Sequence, residues 1–433
     1  MPSALSEVMR HHFLKSGLLL SSLLLSMTAC ETGAGAADST SLNAAPTTAA
    51  GMLSLVRDVG NSDQILSGQE SMYWDQYGNL FPSTRDAYVD SQVGDYPAVF
   101  ATDFGDFHGK DTNRRAEIVP MIKEYAAQGS MVALSYHICP PSVNDGCGFE
   151  GVKSGNYPSS NIDQILTPGT DLNRIHMERL AEVGDYLEEL KNAGIPVMWR
   201  PFHEMNGSWF WWGKQNRYVE LYRQMHDYYT GRGLNNLVWV FSVNYWGPNE
   251  ESPAKYYPGD RYVDVLGADI YERYGHRFEK RIHDDLLAIG GGKPIGITEN
   301  GRIPNWPQLV NEQPKWAFFM TWFGFEENSR DLYPDVFSDD RVLTQKDLGS
   351  GGKARRVSRV DSAPVTPQSS SSAPVSPSNS PAPSNTSGCV DRNNDQNGWG
   401  FDSNGQSCEI DECFDIDGDG WGWNQARKES CRI

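Results

Sequence analysis

The chain has 433 residues, of which 39% are hydrophobic and 11% aromatic, with 13 Trp among them. This length suits one large domain with smaller appended segments. The formal net charge of −19 argues against a nucleic-acid partner, because phosphate binding requires a basic surface.

The first 30 residues are typical of a bacterial export signal. Basic residues precede an apolar run at 17–25 that is too short for a membrane-spanning helix. The sequence MTAC at 27–30 then resembles a lipoprotein box, in which the cysteine is acylated, although Leu is usual where Met27 stands. We therefore predict a signal peptide at 1–30, a lipid on Cys30, and anchoring to the outer membrane or cell surface. Cleavage without lipidation, and hence secretion, is the alternative.

A flexible tether at 31–50, rich in Ala, Thr, Ser and Gly, is predicted to precede a folded segment at 51–348. Apolar runs alternate there with amphipathic stretches, as in parallel strands that helices cover on both faces. Helices are clearest at 174–193 and 215–230. Eight strands are predicted, at 64–67, 97–101, 131–137, 196–202, 237–244, 263–271, 294–299 and 318–323.

This rhythm of strands and helices predicts an α/β fold, a (β/α)8 TIM barrel. A doubly wound open sheet is the competing architecture, but no Gly-rich phosphate-binding turn supports it. The two clearest helices are predicted to stop at Asn-Ala-Gly, 192–194, and at Gly231.

The seven cysteines are an odd number, which is informative in an exported protein. Lipidation of Cys30 would leave six to pair. Cys139 and Cys147 enclose a Pro- and Gly-rich loop between the third and fourth predicted strands, and we predict a disulfide bond between them.

Candidate catalytic residues stand at predicted strand ends, where the active groups of such barrels lie. The fourth strand runs into His203 and Glu204, and the seventh ends at Glu299. Glycoside hydrolysis requires two carboxyl groups, one that protonates the leaving oxygen and one that stays ionised. The rings at 209–212 are of the kind that stack on sugars, although a Trp-rich run is also common in a protein core.

The sequence WRPFHEMNGSWFWWG at 199–213 resembles the signature of glycoside hydrolase family 26, most of whose members are β-mannanases. GITENG at 296–301 resembles the nucleophile strand of that family, and GADIY at 267–271 and LSYH at 134–137 resemble two further strand ends. The likeness covers about residues 52–347. It implies retaining hydrolysis of internal β-1,4-mannosidic bonds through a covalent intermediate, without a required cofactor or a catalytic metal.

The resemblance also implies a role for each matching residue. Glu204 is expected to be the acid/base, tuned by His203, and Glu299 the nucleophile. Tyr271 is expected to donate a hydrogen bond to Glu299, and Asp269 to contact the sugar or His203. The side chains expected around the sugar under attack are His137, Trp209 and Trp322.

The substrate is expected to be mannan, glucomannan or galactomannan. Phe323 stands where many family members have an Arg that reaches the next sugar, which leaves the chemistry of that subsite open. Another β-glycan, such as β-1,3-xylan or mixed-linkage glucan, is therefore the first alternative. A non-catalytic glycan-binding surface lipoprotein is the second, and the presence of both carboxyl groups counts against it. We expect the protein to be a monomer.

A linker rich first in Gly and then in Pro and Ser is predicted at 349–387, followed by a small Cys- and Trp-rich module at 388–433. The module is an imperfect duplication and resembles small disulfide-stapled carbohydrate-binding modules of bacterial cell-wall-degrading enzymes. Packing of its rings as a minimal core is the alternative. The candidate sugar-binding rings are Trp399, Phe401, Trp421 and Trp423.

Disulfide bonds are predicted to staple this module, because so small a unit buries little apolar surface. Its four cysteines allow three pairings, which the sequence does not distinguish. Asp415, Asp417 and Asp419 alternate as in calcium-binding loops but lack the bidentate Glu of a complete loop. A structural Ca²⁺ site is one interpretation of this pattern, and a solvated acidic turn is the other.

Overall fold

A computed structural model of the chain describes residues 45–71, 94–105, 115–143, 147–153, 157–248, 250–271, 278–323 and 332–348. It also describes five short strands between Trp399 and Arg432. The chain divides into two compact units, Met1–Ser362 and Ala363–Ile433.

Eight parallel strands of the first unit close into a barrel. Each pairs with the next in chain order, and Gln69 of the first pairs with Thr321 of the last, which closes the ring. This finding confirms the predicted (β/α)8 barrel and excludes the open sheet. The strands are β1 (Ile65–Leu66) with β2 (Gly68–Glu70), β3 (Val99–Asp103), β4 (Met131–Tyr136), β5 (Val197–Pro201), β6 (Leu237–Asn244), β7 (Val265–Ile270), β8 (Ile295–Asn300) and β9 (Trp316–Thr321). A further short strand, β10 (Val342–Leu343), pairs with β1.

Helices cover the barrel, and none of those described combines the length and the apolar character of a bilayer-spanning segment. Thr170 caps the helix at 171–192, because its side chain accepts a hydrogen bond from Asn173 N at 3.2 Å. The helices are α1 (Ala49–Gly60), α2 (Arg115–Gln128), α3 (Gly148–Val152), α4 (Ser159–Ile165), α5 (Asp171–Asn192), α6 (Tyr218–Gly231), α7 (Lys280–Gly290), α8 (Trp306–Glu312), α9 (Tyr333–Phe337) and α10 (Gln345–Leu348).

Both predicted helix stops are confirmed, whereas one predicted boundary differs by two residues. Gly194, with φ of +72°, follows the end of α5, and α6 ends at Gly231; the left-handed residue after α6 is Gly233, with φ of +76°. The helix α1 begins at Ala49, inside the segment predicted to be a tether. Its apolar residues Met52 and Val56 are buried, which explains why this stretch folds with the barrel.

The helix α1 packs against β1, β6 and β9. Its buried side chains join a cluster with Met131, Val238 and Val265, which lie at or near the beginnings of their strands. The amino-terminal end of the barrel is therefore closed by apolar packing. The buried charged groups of the barrel strands lie at its carboxyl end.

The barrel interior changes from apolar to polar along each strand. Because side chains alternate between the two faces of a strand, Met198 and Arg200 of β5 point to the same side, as do Val240 and Ser242 of β6. The chain therefore brings charged and hydroxyl groups to the carboxyl ends of the strands, where barrel enzymes carry their active sites.

A disulfide bond joins Cys139 and Cys147, as the sequence predicts, in the loop after β4. The buried guanidinium of Arg179 on α5 holds the same loop, since it donates to the carbonyl oxygens of Cys139 and Val143 at 2.6 Å each. The disulfide and the two hydrogen bonds hold the loop against the barrel, just before the chain enters α3.

The second unit contains two small antiparallel sheets. One pairs β11 (Trp399–Phe401) with β12 (Ser407–Glu409), and the other contains β13 (Cys413–Phe414), β14 (Trp421–Asn424) and β15 (Glu429–Arg432). The side chains of these strands lie outside the described part of the chain, as do Cys30, Asp415, Asp417 and Asp419. Lipidation of Cys30 thus stays a prediction, as do sugar binding, calcium binding and disulfide pairing in the C-terminal module.

Close packing in the barrel wall generates a stability prediction. A Cβ atom at Gly296 in β8 would overlap the ring of Phe318, which is 1% exposed, so the buried ring or the strand would have to shift. Gly296→Ala is therefore expected to lower the free energy of unfolding by about 1–3 kcal/mol in urea denaturation.

Gly231→Ala is the matched control, because no heavy atom lies within 4 Å of its Cβ position and Gly231 is helical. This variant is expected to keep or slightly raise the stability, by less than about 1 kcal/mol. Equal stabilities of the two variants would contradict the packing argument.

Candidate active site

Strand pairing gathers polar residues at the carboxyl end of the barrel. Asp103 on β3 lies opposite Ser135 on β4, which lies opposite Arg200 on β5. Farther round the barrel, Asp269 on β7 pairs with Glu299 on β8. The pairing of neighbouring strands thus brings together side chains that are far apart in the sequence.

A bulge in β8 places Glu299 beside Asp269. The register shifts after Ala268, so that Thr298 is the extra residue of β8. Thr298 Oγ1 donates to Asp269 Oδ1 at 2.7 Å, and the absence of a side chain at Gly267 makes room for Thr298. Bulges of this kind commonly redirect a side chain next to an active site.

Arg200 forms the central ion pairs of the site. Its Nη2 contacts Glu299 Oε1, and its Nη1 lies 3.1 Å from Asp269 Oδ2. Burial by itself would lower the pKa of Arg200, but the charges of Glu299, Asp269 and Glu70 outweigh burial and raise it. The guanidinium therefore keeps its charge in the barrel.

Asp269 is held by contacts within the protein. It is 0% exposed, and it accepts hydrogen bonds from Ser242 at 2.9 Å and from Thr298. Burial and the charge of Glu299 raise the pKa of Asp269 to about 7, against the opposing effect of Arg200. The contact with the sugar or His203 that the resemblance implies stays a prediction.

Glu204 is a buried carboxyl group with one neutral donor. Trp209 Nε1 donates to its Oε2 at 2.7 Å. Burial, followed by the charges of Asp269 and Glu299, raises the pKa of Glu204 well above its ordinary value, although Trp209 and Arg200 act in the opposite direction. The protonated form of Glu204, which can donate a proton, is therefore favoured to higher pH than in an ordinary Glu.

Glu299 has a donor at each of its two oxygens. Tyr271 OH donates to Oε2 at 2.6 Å, and Arg200 occupies Oε1. The position of Tyr271 agrees with the hydrogen bond that the resemblance implies. These two contacts fix the direction of the Glu299 carboxylate in the mouth of the barrel.

Oxygens of Glu204, Asp269 and Glu299 lie within 4.8 Å of one another. This spacing also occurs in metal sites, but here Arg200, Trp209 and Tyr271 already donate to oxygens of the three carboxyl groups. The donor set therefore suits proton transfer and attack by a carboxylate rather than binding of a cation.

The rings expected around the sugar are gathered beside the carboxyl groups. The rings of His137 and His203 meet at a centroid distance of 4.3 Å, and Trp322 lies 6.2 Å from His137. Trp209 is half-buried at Glu204. All eight residues that the sequence placed in the catalytic site thus come to one end of the barrel.

The aromatic run after Glu204 is mostly core, contrary to its interpretation as a sugar platform. Trp211 and Trp212 are 0% exposed and Phe210 is 3% exposed, which leaves Trp209 as the partly exposed ring. The indole N–H of Trp211 donates to the carbonyl oxygen of Ile138 at 2.7 Å. Three of the four rings therefore hold the loops in place.

The sequence did not identify several members of the site. Arg200 lies within the motif at 199–213, but its contact with the predicted nucleophile was not predicted. Glu70 and Asp103 lie at the ends of β2 and β3, beyond the predicted ends of those strands. Phe149 on α3 is 43% exposed, and its ring centroid lies 6.0 Å from that of His137. Correct strand ends would have revealed the first two carboxyl groups.

The backbone around Glu204 has an unusual conformation. Phe202 has φ of +49° and Glu204 has φ of +55°, both in the left-handed region that non-glycine residues rarely adopt. Glu204 N donates to Ser242 O at 2.9 Å, which holds this segment to β6. Such conformations cost about 1–3 kcal/mol each and are concentrated at functional sites.

Comparison with known proteins agrees with this geometry. Residues 42–345 match the family model described as glycosyl hydrolase family 26. The chain belongs to this family. It is a glycoside hydrolase, and the family 26 match spans the whole described barrel.

Individual relatives of this family 26 hydrolase support the assignment. A mannan endo-1,4-beta-mannosidase of Bacillus subtilis is 30% identical over 286 residues, which are 60% of this chain and 75% of the relative. The structure of GH26A from Muricauda sp. is 32% identical with a TM-score of 0.62, covering 70% of this chain and 97% of that one. A beta-mannanase from a symbiotic protist of the termite Reticulitermes speratus, complexed with gluco-manno-oligosaccharide, is 29% identical with a TM-score of 0.60, covering 72% and 98%.

The hydrogen bond from Trp209 to Glu204 generates a pH prediction. Because that bond favours the charged carboxylate, its loss in Trp209→Phe should raise the pKa of Glu204 further. The protonated form then persists to higher pH, so the alkaline limb of the kcat/KM profile is expected to move to higher pH.

Tyr271→Phe is the matched control, because it removes a donor from Glu299 and none from Glu204. It is expected to lower kcat/KM while the alkaline limb stays in place. A limb that moves to lower pH in Trp209→Phe, or moves equally in both variants, would show that Glu204 does not govern it.

Proposed function

We propose that this family 26 hydrolase is a retaining endo-β-1,4-mannanase, with Glu204 as acid/base and Glu299 as nucleophile. The observation that carries the proposal is the pairing of two buried carboxyl groups in different environments: Glu204 accepts a hydrogen bond from the neutral indole of Trp209, and Glu299 contacts the guanidinium of Arg200. The first step of retention requires such a difference, since one group must give up a proton and the other must attack as a carboxylate.

The spacing of the two groups favours retention over inversion. Retaining glycosidases have carboxyl groups about 5–5.5 Å apart, whereas inverting enzymes need about 6.5–9.5 Å to admit a water molecule. Oxygens of Glu204 and Glu299 lie within 4.8 Å of each other, which corresponds to the shorter class.

In the first step, an oxygen of Glu299 attacks the anomeric carbon and forms a glycosyl ester. The bond from that carbon to the leaving oxygen breaks, and the proton of Glu204 passes to this oxygen. Tyr271 donates a hydrogen bond to Oε2 of Glu299, and Arg200 contacts Oε1, so both oxygens are held in position during the attack.

In the second step, Glu204 is ionised and takes a proton from water, whose oxygen attacks the anomeric carbon. The ester bond to Glu299 breaks, and both carboxyl groups return to their starting states. Two displacements at one carbon retain the β configuration. No metal or cofactor is needed to balance these steps.

A mannan substrate is supported by the relatives rather than by a contact in this chain. The Bacillus subtilis relative is named for mannan, and the protist enzyme was crystallised with gluco-manno-oligosaccharide. The partly exposed rings Trp209 and Trp322 beside the carboxyl groups suit the apolar faces of pyranose sugars.

We expect product release from mannan and glucomannan in a panel that also contains β-1,3-xylan and mixed-linkage glucan, with the initial product in the β configuration by ¹H NMR. Glu299→Ala should lower kcat/KM by at least about 10³-fold. Glu204→Ala should lose activity on polysaccharide yet still turn over an aryl β-mannoside with an acidic leaving group when azide is added, giving a β-azide.

Glu312→Ala, at an exposed position on α8, is the matched control and should keep full activity. Cleavage of another glycan with the same pattern of variants would preserve the mechanism and overturn the substrate. An initial α product would overturn retention. No cleavage of any glycan in the panel would favour the glycan-binding alternative.

We also propose that the protein is exported and lipid-anchored at Cys30. The support is the sequence at 17–30, an apolar run that ends in small residues before cysteine. Metabolic labelling with palmitate should mark the wild-type chain and Cys139→Ser but not Cys30→Ser. A labelled Cys30→Ser chain, or an unlabelled wild-type chain released to the medium, would contradict the anchor.

The repeat at 388–433 leads us to propose that this module binds polysaccharide through Trp399, Phe401, Trp421 and Trp423. Flat rings of this kind bind sugars by stacking on their apolar faces. The module would then hold the barrel near an insoluble substrate.

A further inference from the structure

A line of buried side chains leads from Asp103, at the end of β3, to Glu299. Asp103 Oδ2 lies 2.7 Å from His137 Nδ1, and the Nε2 atoms of His137 and His203 lie 2.9 Å apart. His203 Nε2 is in turn 3.9 Å from Glu299 Oε1. All four residues are buried, so each ring nitrogen depends on the protein for its partner.

We propose that Asp103 is a positioning residue that fixes the ring tautomers of His137 and His203, so that a hydrogen on His203 Nε2 faces Glu299. The proposal deepens the proposed function and rests on it for the role of Glu299. It concerns a residue that does not itself touch the reacting atoms.

Both oxygens of Asp103 are surrounded by donors. Oδ1 accepts hydrogen bonds from the backbone N–H groups of Gly105 and, at 3.4 Å, His137, while Oδ2 accepts one from Ser135 Oγ at 2.5 Å. Burial by itself would raise the pKa of Asp103, but the hydrogen bonds from His137, Ser135 and Gly105 lower it. Because a carboxylate only accepts, His137 Nδ1 must carry a hydrogen.

The backbone is shaped for this contact. A Cβ atom at Gly105 would overlap Asp103 Oδ1 and would lie 2.7 Å from the carbonyl oxygen of His137. A residue with a side chain would therefore push β3 away from the loop after β4. Only glycine allows Asp103 and His137 to approach as they do.

One hydrogen lies between Nε2 of His137 and Nε2 of His203. The environment of His203 Nδ1 indicates which of the two rings carries that hydrogen. If His137 donated, His203 would carry its hydrogen on Nδ1, which is buried near Phe210 and Trp212 and has no hydrogen-bond partner among the described residues. A buried N–H without an acceptor is rarer than a lone pair without a donor. His203 therefore carries its hydrogen on Nε2 and donates to His137.

The charge state of His203 fits this arrangement. Burial, with the charge of Arg200, holds the pKa of His203 well below its ordinary value, so the ring is neutral and has one hydrogen. Nε2, which carries that hydrogen, lies 2.9 Å from His137 Nε2 and 3.9 Å from Glu299 Oε1. A lone pair in its place would repel the carboxylate.

Asp103→Asn reverses the chain of donors for a geometric reason. The backbone N–H groups at Oδ1 cannot become acceptors, so the amide nitrogen of Asn must replace Oδ2. His137 Nδ1 then becomes an acceptor and its hydrogen moves to Nε2. His203 Nε2 must accept that hydrogen bond, and it turns a lone pair towards Glu299.

The test is ¹⁵N NMR of histidine-labelled full-length protein at pH 7, with signals assigned through single histidine variants. The wild type should show a neutral His137 with hydrogen on Nδ1 and a neutral His203 with hydrogen on Nε2. Asp103→Asn should show the opposite tautomers, with kcat on an aryl β-mannoside lower by at least about tenfold and KM changed much less. Ser135→Ala is the matched control, since it removes another buried donor of Asp103 and should keep the wild-type tautomers.

Wild-type tautomers opposite to these, or a doubly protonated His137, would overturn the proposal even if the enzyme cleaves mannan. Unchanged tautomers or an unchanged kcat in Asp103→Asn would also overturn it. If Asp103→Asn does not fold, the wild-type spectrum alone decides the tautomers. A protein that cleaves no glycan but shows the expected wild-type spectrum would refute the proposed function and keep the hydrogen-bond assignment.

Discussion

The buried ion pairs of Arg200 with Glu299 and Asp269 are the interaction on which the rest of the site depends. A guanidinium stays charged in any protein interior, whereas a buried carboxyl group without a cationic partner takes up a proton. Glu204 receives its hydrogen bond from the neutral indole of Trp209 instead. The placement of one guanidinium thus gives two nearby carboxyl groups different chemistry. Buried ion pairs seldom add net stability, so its value here is functional.

The barrel supplies this charge through ordinary strand geometry. On β5, the alternation that buries Met198 in the barrel floor brings Arg200 to the mouth two residues later, and β6 does the same with Val240 and Ser242. Burying charge is tolerable only because the other end of the barrel is closed by apolar packing under α1. The polar and apolar ends of the interior therefore divide function and stability between them.

The same gradient explains what could be predicted from the sequence. Strand β6 lies at Leu237–Asn244, the predicted 237–244, since its apolar pattern continues almost to its end. Strands β2 and β3 end in Glu70 and Asp103, where the apolar pattern had already stopped, so both carboxyl groups were missed. Periodicity locates the apolar part of a strand, while the functional residues lie where that signal fades. The proposed catalytic pair could be named from the sequence because its motif is long, not because packing revealed it.

The aromatic run after Glu204 finds its physical explanation in the strained backbone before it. Phe202 and Glu204 hold left-handed conformations that would relax without support. Tyr218 OH donates to the carbonyl oxygen of Phe202 at 3.0 Å, and the indole of fully buried Trp212 donates to that of His203 at 2.7 Å. Large buried rings with one polar atom suit this task, because they fill volume while they satisfy a carbonyl that the strand no longer pairs. The run therefore stabilises the conformation that presents Glu204, and only Trp209 of its four rings is exposed enough for the proposed sugar contact.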